Sequence, residues 1–176
     1  VAPIETVPEA LAPDVLTRIV EQLIPFNRFL GVRVIELGPG CARLELPYRP
    51  EMIGNPLRPA LHGGVLATLL DTTGGAAVWT RVSRDHLLST IDLRVDYLRP
   101  ARPEPVIARG RVVRLGNRVG VVELRAAHAG EADRPVAAGT GVYSIRRGSS
   151  GSELERWREA LRSLDHGAIE SRHGRD

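Results

Sequence analysis

Cysteine is almost absent: Cys41 is the only one in 176 residues. No intrachain disulfide and no thiolate metal cluster can form, and the pattern suits a reducing compartment. Lysine is missing altogether, so the 24 residues counted as Lys plus Arg are all arginine. They are spread along the chain among acidic residues, and aromatics make up only 4%. A nucleic-acid binder would show a basic stripe interleaved with aromatics, so a solvated Arg-rich surface is the better reading of a net charge of +3. No apolar stretch has the length needed to span a bilayer. The opening VAPIETVPEALAPD places acids and prolines where a signal peptide needs a basic start and an apolar run. A soluble, cytoplasmic protein is the expectation. There is no G-x-S-x-G elbow, phosphate-binding G-x-x-x-x-G-K-[ST] loop, complete G-x-G-x-x-G or H-E-x-x-H motif. The histidines lie far apart and suggest no zinc site, so neither metal nor cofactor is expected.

What is present is ordinary globular material, 43% hydrophobic and 26% charged, enough for one domain with small appendages. We divide it into an arm and helix over residues 1–30, a main domain over 31–147, and a linker with a C-terminal helix and tail over 148–176. Asp14 is placed to cap a first helix, whose apolar positions Val15, Ile19 and Leu23 recur at helical spacing up to Pro25. Two β-like runs, Val32–Leu37 and Ala42–Leu46, flank the turn signal Gly38-Pro39-Gly40 and read as a hairpin. Residues 47–59, with several prolines and Gly54, read as an irregular loop. Leu61–Trp79 is apolar nearly all round, which marks a buried helix presenting Leu66, Leu69, Leu70, Thr73, Ala76 and Ala77 on one face. From Leu88 the period changes to two: Ile91, Leu93, Val95 and Tyr97 alternate with charged residues, predicting a strand with one buried and one wet face. Val106–Leu115, Val119–Ala127 and Pro135–Ile145 read as three further strands, the first two joined at Gly116-Asn117. Glu153–Leu164 reads as a charged helix. Strands linked by short turns pair antiparallel. The fold class is therefore α+β, a curled antiparallel sheet against one long buried helix.

The chemistry concentrates on that helix. Asp71 lies amid Leu69, Leu70, Ala76 and Ala77, where a carboxylate is costly without partners. It either satisfies a neighbouring loop or core arginine, or serves as a general base or nucleophile in a dry cleft. His62-Gly63-Gly64 opens the helix. His62 reads as a helix-end hydrogen bonder, and the two glycine amides can either close a tight turn or stabilise an oxyanion at the positive helix end. Asp71 follows His62 by nine positions, about 13 Å of rise on a helix. Gly63 and Asp71 of one chain thus cannot both reach the same carbonyl group, and a site using both must draw them from two subunits. Gly74 and Gly75 each cost a helix about 1 kcal/mol relative to alanine. They serve either close helix packing at a subunit interface or open space beside the helix for a ligand. Arg114 and Arg118 flank the Gly116-Asn117 turn, as solvated charges or as phosphate binders.

The run LHGGVLATLLD resembles the H-G-G-(six residues)-D/E helix motif of the hotdog-fold acyl-CoA thioesterases, in particular the PaaI-like, phenylacetyl-CoA thioesterase-type group. STIDLRVDYLRPA is similar to that family's strand after the helix, and the likeness covers roughly residues 30 to 146. The resemblance implies a sheet wrapped around the central helix, assembled as a homodimer or homotetramer, that hydrolyses an acyl-CoA to a free acid and CoA. On the matching positions it implies that Asp71 is the catalytic carboxylate and that Gly63 of the opposing subunit polarises the thioester carbonyl. His62 would orient that loop, with Gly64 beside it. Thr90 matches a hydroxyl that in some relatives holds the attacking water, or is simply a β-branched strand residue. Relatives often carry an Asn six residues before the His. Pro56 stands there in this chain, and Asn55, one residue further away, serves only if the loop bulges; otherwise it forms a turn. Two alternatives remain, a non-catalytic acyl-CoA-binding protein and a hotdog hydratase or dehydratase.

Overall fold

A computed structural model describes residues 10–147 together with Glu155, Glu159, Ala160 and Arg162. The expected arm before residue 10, the linker from 148 and most of the C-terminal helix lie outside the described residues; those last four residues are helical.

Helix α1 (Pro13–Arg18) opens with Pro13 in its first turn after Ala12, so Asp14 lies inside the first turn and is not its cap. Proline suits that position because its missing N–H would have no acceptor there and its φ is preset. The chain then loosens into a π-helical turn, Ile19–Leu23, closed by the Ile24 N–H donating to the Ile19 carbonyl at 3.2 Å. Pro25 ends this turn and also begins a second helix, α2 (Pro25–Leu30), which ends on Gly31 at φ 74°. The sequence reading saw proline as a stop and missed its use as a start.

Strands β1 (Arg33–Gly38) and β2 (Cys41–Leu46) form the expected hairpin. The Pro-rich stretch is more regular than expected: a 3₁₀ turn at Pro50–Met52 leads into a small ladder of β3 (Ile53–Asn55) with β4 (Ala60–Leu61). Helix α3 (Gly63–Trp79) follows, then β5 (His86–Tyr97), β6 (Val106–Leu115), β7 (Val119–His128) and β8 (Ala137–Arg147). The large sheet has the order β1-β2-β6-β7-β8-β5, antiparallel throughout. The α+β reading, four consecutive strands after a long buried helix, holds.

The six residues expected on the buried face of α3 are all buried, as is Val78. They pack on the inner face of the sheet, where Leu44, Leu46, Val106, Ala108, Val122 and Leu124 are fully enclosed. The alternate residues of the same strands, Arg43, Arg109 and Arg125 among them, point to the opposite face. Leu16, Val20 and Leu30 belong to the same core as α3. Buried Asn27 ties the first helices to the rest: its amide donates to the Val20 carbonyl at 3.0 Å, and its oxygen accepts from Thr72 on α3 at 3.2 Å.

Strand β5 departs from the alternation read in the sequence. Its pairing with β8 slips between Thr90 and Asp92, leaving Ile91 unpaired and 59% exposed, whereas Leu93 and Val95 are half-buried against the core. A bulge inserts one residue and inverts the facing of everything before it. Thr90 therefore lies opposite buried Tyr143, on the helix side of the sheet, where strict alternation would have turned it to solvent.

Candidate active site

Asp71 sits half-buried on α3, and the bulge in β5 delivers Thr90 to it: the Thr90 hydroxyl donates to Asp71 Oδ1 at 2.9 Å. Beside the pair runs a cleft of about 230 Å³. Its α3 wall carries Asp71, Gly75 and Trp79, spaced i, i+4 and i+8, so they line one helix face over about 12 Å. The strands contribute Leu88 and Tyr143, and the π-helical turn and its exit contribute Val20 and Ile24. Asp71 is thus the one acidic group at an otherwise largely apolar groove, with a hydroxyl fixing one carboxylate oxygen.

Tyr143 explains Gly74. The tyrosine side chain lies over Gly141 of its own strand and presses on α3, where its hydroxyl donates to the Asp71 backbone carbonyl at 3.0 Å. A Cβ at Gly74 would stand 2.7 Å from Tyr143 Cζ. Gly74 is therefore taken up by packing within its own chain, and neither an acyl chain nor a partner subunit occupies that space. Gly75 differs: a Cβ there meets only Tyr143 Cε1, at 3.8 Å, and the residue lines the cleft. Burial, with the Asp71 charge next in importance, pushes the Tyr143 hydroxyl well above its ordinary range, so it stays a proton donor to the helix backbone. The sequence reading missed Tyr143, Trp79, Val20 and Ile24. The available signal for Tyr143 was two glycines, Gly74 and Gly141, in the interiors of regular elements.

At the other end of α3, His62 caps the helix. Its Nδ1 accepts from the Gly64 N–H at 2.9 Å, which places the ring proton on Nε2. The Gly64 amide is thereby engaged inside its own chain, and Gly64 is not a substrate donor in this arrangement. Gly63 N–H is the first amide of the helix and has no intrahelical acceptor. The Gly63 carbonyl accepts from the Tyr97 hydroxyl at 2.9 Å, and the Tyr97 ring covers the place where a Gly63 side chain would be. Tyr97, at the end of β5, was also missed as a site residue.

Two further assignments do not gather at Asp71. Asn55 Oδ1 accepts from Leu57 N–H at 3.0 Å and Arg58 N–H at 3.2 Å, the turn-forming use of the residue, and Asn55 does not line the cleft. Arg114 and Arg118 are both exposed and stand outside the cleft. Arg118 borders an open depression with His86, Arg146 and Arg147.

The family description "Thioesterase superfamily" matches residues 59–133, which contain α3, β5, β6 and β7. The medium/long-chain acyl-CoA thioesterase YigI of Escherichia coli is 36% identical over 135 residues, covering 69% of this chain and 86% of its own length. Among solved structures, a thioesterase family protein from Silicibacter pomeroyi superposes with a TM-score of 0.70 at 26% identity, covering 77% of this chain and 98% of that one. A protein from Shewanella oneidensis related to the thioesterase superfamily does so with a TM-score of 0.66 at 32% identity, covering 76% and 94%. A long helix cradled by an antiparallel sheet is what these relatives share with it, and the chain belongs to the thioesterase superfamily, as a thioester hydrolase of the hotdog fold.

Proposed function

We propose that the chain hydrolyses acyl-CoA thioesters to a free acid and CoA, with Asp71 as the catalytic carboxylate and the Gly63 N–H of a partner subunit as oxyanion donor. The observation that carries this reading is the carboxylate of Asp71, held by Thr90 at the mouth of an apolar cleft. The thioester carbonyl carbon sits beside Asp71 and the acyl chain runs along α3 toward Trp79. In one route Asp71 takes a proton from water as the water oxygen attacks; the tetrahedral oxyanion then collapses, the C–S bond breaks, and the thiolate leaves and regains a proton. In the other, the carboxylate itself attacks, the C–S bond breaks to release the CoA thiolate, which takes up a proton, and water opens the resulting mixed anhydride to the free acid and the regenerated carboxylate. Either way the negative charge that builds on the carbonyl oxygen needs a donor already in place, and a free helix N-terminal amide supplies one. No cofactor is required.

The two ends of the constellation favour a dimer. Asp71 follows Gly63 by eight positions, about 12 Å along α3. Strand β5 is the 12-residue edge of the sheet, with Ile91 and Tyr97 exposed, and an edge of that length is a template for pairing. It carries the partner of Asp71, Thr90, and the partner of Gly63, Tyr97, on one strand. Two β5 edges paired antiparallel about a twofold axis near Leu93 and Arg94 set Thr90 of one subunit opposite Tyr97 of the other. Asp71 then meets the Gly63 end of the neighbouring α3. A homodimer, alone or doubled into a tetramer, is the assembly this reading requires. Among the described residues no helix is long and apolar enough to cross a membrane, and the cytoplasm is the location that suits a CoA substrate.

The name of the Escherichia coli relative points to medium and long acyl chains, and the stretch of α3 from Asp71 to Trp79, about 12 Å, gives a medium chain an apolar wall to lie along. The test is thiol release from short, long and aryl acyl-CoAs. Turnover that rises with chain length supports the reading. Tight binding without thiol release from any of them would make the protein an acyl-CoA binder instead. Gly75→Leu is expected to fill the groove between Asp71 and Trp79. With about four methylenes unburied at about 0.8 kcal/mol each, kcat/KM for long chains should fall on the order of 100-fold, while acetyl-CoA turnover stays unchanged.

A further inference from the structure

The outer face of the sheet, opposite α3, carries a row of arginines that none of the chemistry above uses. Arg43 on β2 stands directly across from Arg109 on β6, and Arg109 directly across from Arg125 on β7. Neighbouring strands lie about 4.8 Å apart, so the row spans about 10 Å. Like charges placed directly opposite each other in a sheet repel and destabilise the pairing. The flanking members are partly neutralised: Arg43 pairs with Glu36 at 3.1 Å and Arg125 with Glu123 at 3.1 Å, while Glu123 also binds Arg111 at 2.7 Å. Arg109, in the middle and exposed, makes no ion pair among the described residues. Arg43 Nε is shielded from solvent and has no acceptor. Two clefts of about 360 Å³ each open on either side of the row, and Arg43, Arg109 and Arg125 line both. The first brings four arginines together with only two glutamates, and the second adds Asp133.

From this placement we infer that the row is a binding site for a small ligand carrying two or more phosphate groups, with Arg109 as its central contact. A guanidinium offers two parallel N–H donors to a phosphate, and an acceptor between neighbouring forks turns repulsion into shared attraction. The 10 Å reach exceeds one phosphate and fits a nucleotide with phosphates at two places. Two sources share that chemistry, the nucleotide end of a CoA thioester and a free nucleotide. The inference does not depend on the role of Asp71, since binding is read without turnover.

The test is calorimetric titration of the full chain with adenosine 3′,5′-bisphosphate and with inorganic phosphate, for the wild type, Arg109→Gln and Arg109→Lys. The bisphosphate should bind the wild type at least tenfold more tightly than inorganic phosphate does, and more weakly as salt is raised. Arg109→Gln should raise its Kd tenfold or more, with Arg109→Lys in between. Without ligand, Arg109→Gln should melt at or above the wild-type temperature, because a like-charge contact is relieved; a merely structural arginine would lower it. A raised KM for acyl-CoA at unchanged kcat in Arg109→Gln would assign the phosphates to the substrate, and an unchanged KM with lost bisphosphate binding to a separate nucleotide. Equal bisphosphate affinity in wild type and Arg109→Gln would overturn the inference. So would a change of oligomeric mass in Arg109→Gln with no effect on bisphosphate binding, which would make this face a contact between copies.

Discussion

Asp71→Asn is expected to lower kcat for acyl-CoA hydrolysis by about 1,000-fold, the usual worth of a positioned acid–base group, while substrate binding and the melting temperature stay close to wild type. The substitution keeps the size of the side chain and an oxygen that can accept from Thr90, so the 2.9 Å bond can persist. What it removes is the ability to take a proton from water or to attack a carbonyl. Asp71 is half-buried and takes a neutral hydroxyl, that of Thr90, as its partner, so no buried cation is left uncompensated. Stopped-flow thiol release alongside calorimetric binding of a non-hydrolysable acyl-CoA analogue checks both halves. Loss of binding together with turnover would assign Asp71 a role in holding substrate, and wild-type turnover would remove it from the chemistry.

Gly74→Ala should be the most damaging small substitution in α3. Alanine is ordinarily the better helix former by about 1 kcal/mol, and on propensity alone it would stabilise the protein. Here its methyl must share space with Tyr143, whose ring is already confined by Gly141. Overpacking of a core costs about 1–3 kcal/mol, which outweighs the propensity gain in all but its lowest range. The melting temperature should fall by several degrees, at about 2–4 °C per kcal/mol for a domain of this size. Activity should fall further than stability, because displacing Tyr143 breaks its bond to the Asp71 carbonyl and shifts the carboxylate. Combined with Tyr143→Leu, the alanine should be nearly neutral, and thermal melts of the four proteins of that double-mutant cycle measure the coupling. Additive losses in the double mutant would show that the two residues do not contend for the same space.

How much of this was legible in the sequence depended on the range of the forces involved. An unbroken apolar helix with one acid, and four strands joined by short turns, follow from periodicity, which each segment carries within itself. The bulge at Ile91 does not. Ile91, Leu93 and Val95 alternate perfectly in the sequence, and only the register against Tyr143 and Val142 on β8 shows that one residue is extra. That bulge turns Thr90 toward Asp71, so the motif could name the residue but its facing had to come from the sheet. Pro25 was misread because a proline that ends one helical turn and begins the next has the same local preferences in both roles. Tyr143 left only an indirect trace, the glycines Gly74 and Gly141 inside regular elements, because the backbone it bonds lies 72 residues earlier in the chain. Asn55 shows the converse, a residue that matched a family position loosely and whose side chain closes its own turn.

The central claim, a carboxylate and a backbone donor supplied by different copies of the chain, is tested most directly by mixing two inactive proteins. Asp71→Asn lacks the carboxylate. Gly63→Pro removes the amide hydrogen at the first helical position, where the backbone suits proline and His62 already has the extended conformation that precedes one. Because its Cβ would stand 3.0 Å from the Tyr97 ring, it is combined with Tyr97→Ala, and Tyr97→Ala alone is the active reference. Asp71→Asn and the proline variant should each be inactive on their own. Co-refolded in equal amounts, half the dimers are mixed, and each mixed dimer holds one intact site, so about a quarter of wild-type activity should return. A mixture as inactive as its two parents, although mixed dimers are shown to form, would contradict the account.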